Sequence, residues 1–578
     1  MAKDLKTTLL TVAMILGLVL ATGANSEAVQ QKFRRIAVND YVDKMKAGWI
    51  GQMVGVGWGG PTEFRWRGQI IPKEKMPKWK PTLVNQFHQD DLYVEMTFLR
   101  TLEVYGLDVS QRQAGIDFAN SRYLCWHANG FGRENLRKGI APPDSGHPEF
   151  NDHPDCIDYQ IEADYAGLIS PGLPNHGIRL GEIFGRLMNY GDGLYGGQFI
   201  SGMYAEAFFE SDPKKLVLAG LKCVPAESQF YECIADVIKW HEQYPDDWQA
   251  TWKLVEAKYS DNMEYRRSSC EKPPSDFNID AKINAAYIVI GMLYGKGDLD
   301  ETIIISTRCG QDSDCNPSSA AGVLFTALGH SNLPDRFKSD LYEQGGFLHT
   351  PYSFSLLMHV CETLARQAVL REGGRIERRE DGSEVFAIPI KKPRPGRLSQ
   401  SWDPGPVANS RFTERERALI VPQDSRKELE EVIGAFEAAE AFKGVAPGWM
   451  IRDCGEPADS GFRSELRGRN NVVVTHPKDK NLSCIVFKVV DIPKGKPHLN
   501  LTVGHHERGD WSLVVKVAEV VFLYTKVGPE TTKDGWRDIS VDLSAYAGSK
   551  IILELHNAAD GGSHESAYWA RIQIENDS

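Results

Sequence analysis

The ten cysteines of this 578-residue chain include no C-x-x-C pair, which excludes a zinc ribbon and a thioredoxin-like redox motif. Free buried thiols are the expected state, with Cys223–Cys233 and Cys309–Cys315 as the pairs to consider if the protein is exported. No basic stretch rises above a scattered surface background and the formal net charge is -12, so nucleic acid is not the expected main partner. Beyond residue 21 no apolar run is long enough to cross a bilayer. Strand-like alternation is scarce from Gln30 to about Glu372, and Arg375 to Ile390 mixes charge with a short strand pattern.

The N-terminus is built differently. Lys3 and Lys6 precede an apolar run from Leu9 to Ala21, followed by the small residues Ala24, Ser26 and Ala28. This is the layout of a cleaved secretory leader over residues 1–28, an uncleaved anchor being the alternative. A secreted or periplasmic protein with no membrane contact after cleavage is expected. The remaining length is too great for one core and suggests two or three domains.

Two stretches carry the chemistry. His88-Gln89-Asp90-Asp91 precedes a helical run with Leu92, Met96, Leu99 and Leu102 on one face; Gly310-Gln311-Asp312-Ser313-Asp314-Cys315-Asn316 precedes a helix of small residues from Ser318 to Phe325. Taken singly, each aspartate pair reads as a helix cap or first-turn acid. Taken together, they bring acidic oxygens to one point if the two helix starts meet. Carboxylates crowded in a dry cleft raise one another's pKa unless a cation joins them. Oxygen-only ligands suit hard divalent ions such as Mg²⁺ or Mn²⁺.

The flanking chain supports a cleft. Tyr41 to Val54 reads as a helix with Gly48, Gly51 and Gly55 near one face, suited to the close approach of a neighbour. Gly55-Val56-Gly57-Trp58-Gly59-Gly60 matches G-x-G-x-x-G, but a helix precedes it and Pro61 follows, so a dinucleotide site is not expected. Glu63 ends this glycine-rich turn, where a carboxylate can reach the cation or remain a surface residue. Trp58, Trp66 and Trp79 are either core or stacking faces for a sugar. Tyr123 to Pro154 reads as a long irregular segment of the kind that forms lids. Gly191-Asp192-Gly193-Leu194-Tyr195 reads as a second glycine-rich turn leading into a helix.

Gly51 to Phe64, His88 to Asp91 and Gly310 to Asn316 together resemble the three signatures of the ADP-ribosylglycohydrolase family, which includes dinitrogenase reductase-activating glycohydrolase and the ADP-ribosyl-acceptor hydrolases. The resemblance implies an all-α domain over residues 30–372 with one or two Mg²⁺ or Mn²⁺ ions in a central cleft. The family's aspartate pairs fall on Asp90, Asp91, Asp312 and Asp314, and its mobile acid on Glu63. Gln89 and Cys315 stand where the family has threonines; glutamine can replace the hydroxyl through its amide oxygen, whereas cysteine is a soft donor that suits Mg²⁺ poorly. The expected metal set is Gln89, Asp90, Asp91, Asp312 and Asp314. Glu63, Asp91 and Asp312 are the expected catalytic residues, and Trp66, Asp164, Asp192 and Tyr195 the expected substrate contacts.

Residues 373–445 read as a connecting segment, proline-rich from Lys391 to Ser410 and with a polar helix over Ser425–Phe442. Residues 446–578 alternate as seven or so short strands and resemble a jelly-roll-like β-sandwich of the carbohydrate-binding kind. Trp511, Trp536 and Trp569 are either its core or a sugar platform. The expected activity is hydrolysis of a glycosidic bond in a glycan or glycoside. Removal of ADP-ribose from a modified protein is one alternative, with Arg65, Arg67 and Lys78 as the positive groups near a motif. A carbohydrate-binding protein with a decayed metal site is the other.

Overall fold

Glycines 48, 51 and 55 let two helices pack closely. In the computed structural model, which describes residues 32–421, 446, 449–452, 454, 460–477, 483–517, 520–559 and 564–576, they lie on the helix Val38–Gly59. A Cβ on Gly51 would stand 2.6 Å from the Ala321 carbonyl oxygen, and one on Gly55 would stand 2.3 Å from that of Pro317. The helix Cys315–Leu328 therefore crosses the first helix backbone to backbone. The G-x-G-x-x-G match serves the same packing, since a Cβ on Gly59 would meet the Ser313 carbonyl oxygen at 2.1 Å.

Around this pair the described chain as far as Arg371 is mostly helical, as the scarcity of alternation predicts. The helix Ala281–Gly295 is buried on every face and forms the centre of the body. The glycines after Tyr190 are helical rather than a turn, because the helix starts at Gly191 and runs to Ala207. A Cβ on Gly197 would meet the Tyr159 ring at 2.3 Å.

The expected irregular lid over residues 123–154 is not one. It contains the helix His127–Arg137, whose Asn- and Gly-rich sequence has weak intrinsic propensity. Tertiary capping sustains that helix: the Asp158 carboxylate accepts the N–H groups of Ala128 at 3.0 Å and Asn129 at 3.1 Å. The chain beyond it is pinned inward by Asn151, whose amide donates to the carbonyls of Ala128 and Met188.

The boundary at residue 372 also moves. Strand β1 (Phe33–Ala37) pairs antiparallel with β3 (Glu384–Pro389), which pairs with β2 (Arg375–Arg378), giving the order β1-β3-β2. Residues up to 416 then fold back on the helices. Ser401 donates to Asp155 at 2.5 Å, Ala408 N–H donates to Asp144, and Arg112 pairs with Glu416. The supposed linker, up to residue 421, thus belongs largely to the helical body. The polar helix expected over 425–442 and the leader over 1–28 lie outside the described residues.

The C-terminal region is two antiparallel five-stranded sheets. Its strands are β4 (Met450–Arg452), β5 (Gly461–Leu466), β6 (Arg469–Thr475), β7 (Cys484–Asp491), β8 (Pro497–His505), β9 (Trp511–Val517), β10 (Val520–Val527), β11 (Trp536–Asp542), β12 (Lys550–Ala558) and β13 (Ala567–Asn576). One sheet runs β10-β9-β12-β7-β4 and the other β11-β8-β13-β6-β5. Every second residue of β9 (Leu513, Val515, Val517) and of β8 (Leu499, Leu501, Val503) enters one shared apolar cluster, the inward-facing period of a sandwich. All three tryptophans are buried, Trp511 and Trp569 with ring centroids 5.4 Å apart, so none is a sugar platform. Among the described residues no helix is long and apolar enough to cross a membrane, and all ten cysteines are free, including the pairs considered from sequence.

Candidate metal centre

The two aspartate motifs meet because of the glycine seam. The Cys315 helix starts against the end of the first helix, and the chain before it is stitched to the Glu63 turn. Phe64 N–H donates to the Gln311 carbonyl and Gln311 N–H donates to the Trp66 carbonyl, both at 3.0 Å. Thr62 donates its hydroxyl to the Gly59 carbonyl at 2.7 Å, which leaves Ser313 as the donor in the 2.8 Å contact between the Thr62 and Ser313 hydroxyls. Gly310 and Gln311 both adopt left-handed φ, 86° and 54°. At Gly310 a side chain is excluded outright, because a Cβ would meet the Trp66 carbonyl oxygen at 2.5 Å. At Gln311 the strain is offset by its amide, which accepts from Asn278 N–H and donates to the Asp276 carbonyl.

The strained turn presents Asp312 and Asp314 to the start of the helix Asp90–Tyr105. Ligand atoms of Asp312, Asp314 and Cys315 lie within 4.8 Å of one another. The Cys315 thiol reaches Asp91 Oδ2 at 3.3 Å and Asp314 Oδ1 at 3.7 Å. Neither motif is spent on capping: Gln89 and Asp314 are the N-cap residues of their helices, and neither makes a side-chain cap bond.

The electrostatics follow from this crowding. Burial first, then the Asp314 charge, pushes the Asp90 carboxyl up to about 6. Burial followed by Asp90 and Asp314 raises Asp91 well above the carboxylate range, and burial followed by Asp314 and Glu63 does the same to Asp312. Glu63 stands at the mouth, where water reaches its rim. Loss of solvation, then Asp314 and Asp90, push it up to about 8. Asp91 Oδ1 and Asp312 Oδ1 are buried with no hydrogen-bond partner. Orphaned, mutually repelling hard oxygens are what a divalent cation satisfies.

The other expected site residues divide. Gln89 donates its amide nitrogen to Gln86 at 3.2 Å, so any contribution to a cation falls to its Oε1. Trp66 is half-buried beside the Glu63 turn. Asp164, Asp192 and Tyr195 are buried, the last two with their polar atoms bonded to other parts of the chain. Asp164 is 1% exposed, behind Asp91, and burial pushes it up to about 7. Asp192 is 3% exposed and is bonded to the Lys282 ammonium at 2.8 Å and to Phe230 N–H at 3.2 Å. Tyr195 spends its hydroxyl on Ser399, accepting from its N–H at 2.7 Å.

Two acids that sequence reading did not place also face the centre. Glu162, held by Asn129 at 2.7 Å, is raised by burial and then by Asp158, Asp90 and Asp91. Glu95 accepts Tyr165 N–H at 2.6 Å and is raised by burial, Asp164 and Asp91. Its signal was the four-residue step from Asp91, which puts both acids on one helix face.

A helical domain whose cleft gathers acidic oxygens from two helix starts is a metal-capable domain of the hydrolase class. Residues 37–373, more than half of the chain, match the sequence profile of the ADP-ribosylglycohydrolase family, and the chain belongs to it. Among solved structures, an ADP-ribosylglycohydrolase-related protein complex is 13% identical over 57% of this chain and 99% of that one, with a TM-score of 0.39. A cyclase from Fischerella sp. TAU is 12% identical over 23% of this chain and 88% of that one, with a TM-score of 0.17. No protein of curated function matches the sequence.

Proposed function

We propose that this protein is an exported, divalent-metal-dependent hydrolase that cleaves a glycosidic bond in a glycan or glycoside. The observation that carries this reading is the convergence of Asp90 and Asp91 with Asp312 and Asp314, with Glu63 at the open side and its carboxyl pushed up to about 8. The four aspartates would hold Mg²⁺ or Mn²⁺, with Gln89 contributing through its amide oxygen. The bound cation supplies positive charge that orients sugar hydroxyls and acidifies water. Glu63 then takes a proton from water at the cleft mouth, a task for which a carboxyl titrating near neutrality is suited. The surrounding carboxylates offset positive charge developing at the anomeric carbon. Export rests on the basic-then-apolar leader, and the appended β-module favours a glycan.

The second reading is removal of ADP-ribose from a modified protein. Family membership favours it, and Arg65 and Arg67 stand exposed on the Glu63 turn, where a pyrophosphate would find positive charge.

One assay separates the readings. The mature chain, with Mg²⁺ or Mn²⁺, is incubated with a panel of polysaccharides and aryl glycosides and, in parallel, with an ADP-ribosylated protein. Reducing sugar released by the wild type and lost in Asp312→Asn supports the first reading. Free ADP-ribose supports the second. No product from either panel, together with unchanged melting on metal addition, overturns both.

A further inference from the structure

A second cluster of ligand atoms forms where the chain around Cys156 meets the loop before the helix Ala281–Gly295. The two segments are joined by backbone: Ile157 N–H donates to Ile279 C=O and Ala281 N–H to Asp155 C=O, each at 2.9 Å. Arg266 shapes the loop. Its guanidinium, 1% exposed, donates to the carbonyls of Ser260, Ser275, Glu271 and Phe277 at 2.6–3.1 Å. The fold-back carries Cys270 to Cys156, and one ligand atom each of His153, Cys156 and Cys270 lies within 4.8 Å of the others.

The surroundings hold these groups in place. Cys156 Sγ and His153 Nδ1 are 3.8 Å apart, close to the edge of a tetrahedron around a cation with bonds of about 2.0–2.3 Å to nitrogen and sulfur. The His153 ring is braced by Phe131 at 4.7 Å and by His127 at 5.4 Å between centroids. Cys156 is buried while His153, Cys270 and His127 are half-buried, which leaves a route from solvent.

We infer that His153, Cys156 and Cys270 bind a zinc-class cation, with water completing the fourth position. Two sulfurs and an imidazole select a softer ion than the carboxylate-rich aspartate centre does, so the two sites sort different metals. Two sulfurs and one imidazole supply three of the four ligands such an ion takes, and the half-buried His153 and Cys270 leave the fourth to solvent. The ion would clamp the loop that carries Phe277, whose ring packs on Phe64 at 5.4 Å beside Glu63. This site stands or falls independently of the glycosidase reading.

The test uses the full mature chain. After zinc loading and dialysis, one equivalent of zinc is expected to remain. Cobalt in its place should give the thiolate-to-cobalt charge-transfer absorption of a tetrahedral site. Cys270→Ser and His153→Ala should each lose that absorption, and Asp312→Asn should keep it. Because a ligand variant can fail to fold, thiol alkylation of the wild type gives a second measure. Zinc should slow labelling of Cys156 and Cys270 at least ~10-fold relative to the chelated protein. The proposal is overturned if no zinc is retained, if labelling rates are equal with and without zinc, or if the two cysteines are isolated as a disulfide.

Discussion

The thiol of Cys315 lies 3.3 Å from Asp91 Oδ2, joining residues 224 positions apart at the meeting point of the two motifs. It occupies the place where the resemblance leads one to expect a hydroxyl, and it holds an expected metal ligand. Replacing it by threonine supplies an oxygen donor, and Mg²⁺ affinity should rise about 10-fold. Replacing it by alanine frees Asp91 and should lower affinity by a similar factor. Calorimetric titration with Mg²⁺ measures both; identical affinities for wild type and both variants would remove Cys315 from the centre.

Metal stabilisation should grow with pH. Glu63 and Asp90, pushed up to about 8 and about 6, bind more protons folded than unfolded between their ordinary range near 4 and these values. Without a cation the fold therefore loses stability as pH rises through that window. A divalent ion displaces the protons, so the melting shift given by Mn²⁺ should be small near pH ~5 and larger near pH ~8.5. A shift independent of pH would place the ion elsewhere.

Gly55→Ala puts a Cβ 2.3 Å from the Pro317 carbonyl oxygen, a backbone atom that cannot turn aside. The cost should be at least ~2 kcal/mol, with metal affinity falling as the two helices part. Urea unfolding alongside metal titration checks this. Loss of stability with intact affinity would show that the seam does not set the centre's geometry.

Asp192→Asn tests the buried ion pair with Lys282. Burial disfavours the ammonium, yet Asp192, Asp155 and Asp280 outweigh it and keep Lys282 charged above its usual range. Neutralising Asp192 should cost about 3 kcal/mol by denaturant unfolding. Unchanged stability with weakened substrate binding would return Asp192 to the substrate site.

His176 should make the fold acid-sensitive. Ser170 contacts its Nδ1 at 2.7 Å, its Nε2 is buried without a partner, and burial followed by Arg179 pushes its pKa down to about 3. The folded value lies below the unfolded value of about 6.5, so the contribution is whole above that pH and is lost as pH falls toward 3, on the order of 5 kcal/mol in all. His176→Asn should flatten the slope of unfolding free energy against pH across this window. An unchanged slope would assign the acid sensitivity to other groups.

What the sequence made legible was local. Asp90-Asp91 and Asp312-Ser313-Asp314 each sit within a few residues at a helix start, and Gly48, Gly51 and Gly55 sit on one helix face, so spacing alone reveals them. Seven strands of the C-terminal region announced themselves by alternation, but β4 is only three residues long, β5 has one buried residue and β6 begins with three exposed polar ones, and these were silent. Tertiary decisions were hidden. The helix His127–Arg137 depends on Asp158 from another segment, Asp192 depends on Lys282, and Cys270 meets His153 only because Arg266 gathers the loop between them.

The pairing of Phe33–Ala37 with Glu384–Pro389 orders events during synthesis. The strand that opens the helical body leaves the ribosome early and has no partner until almost all of that body has followed it. Its ladder of amide and carbonyl groups stays open meanwhile, a state in which a chaperone would find it extended. The acidic cleft, whose walls come from both halves of the same stretch, is then among the last features to exist.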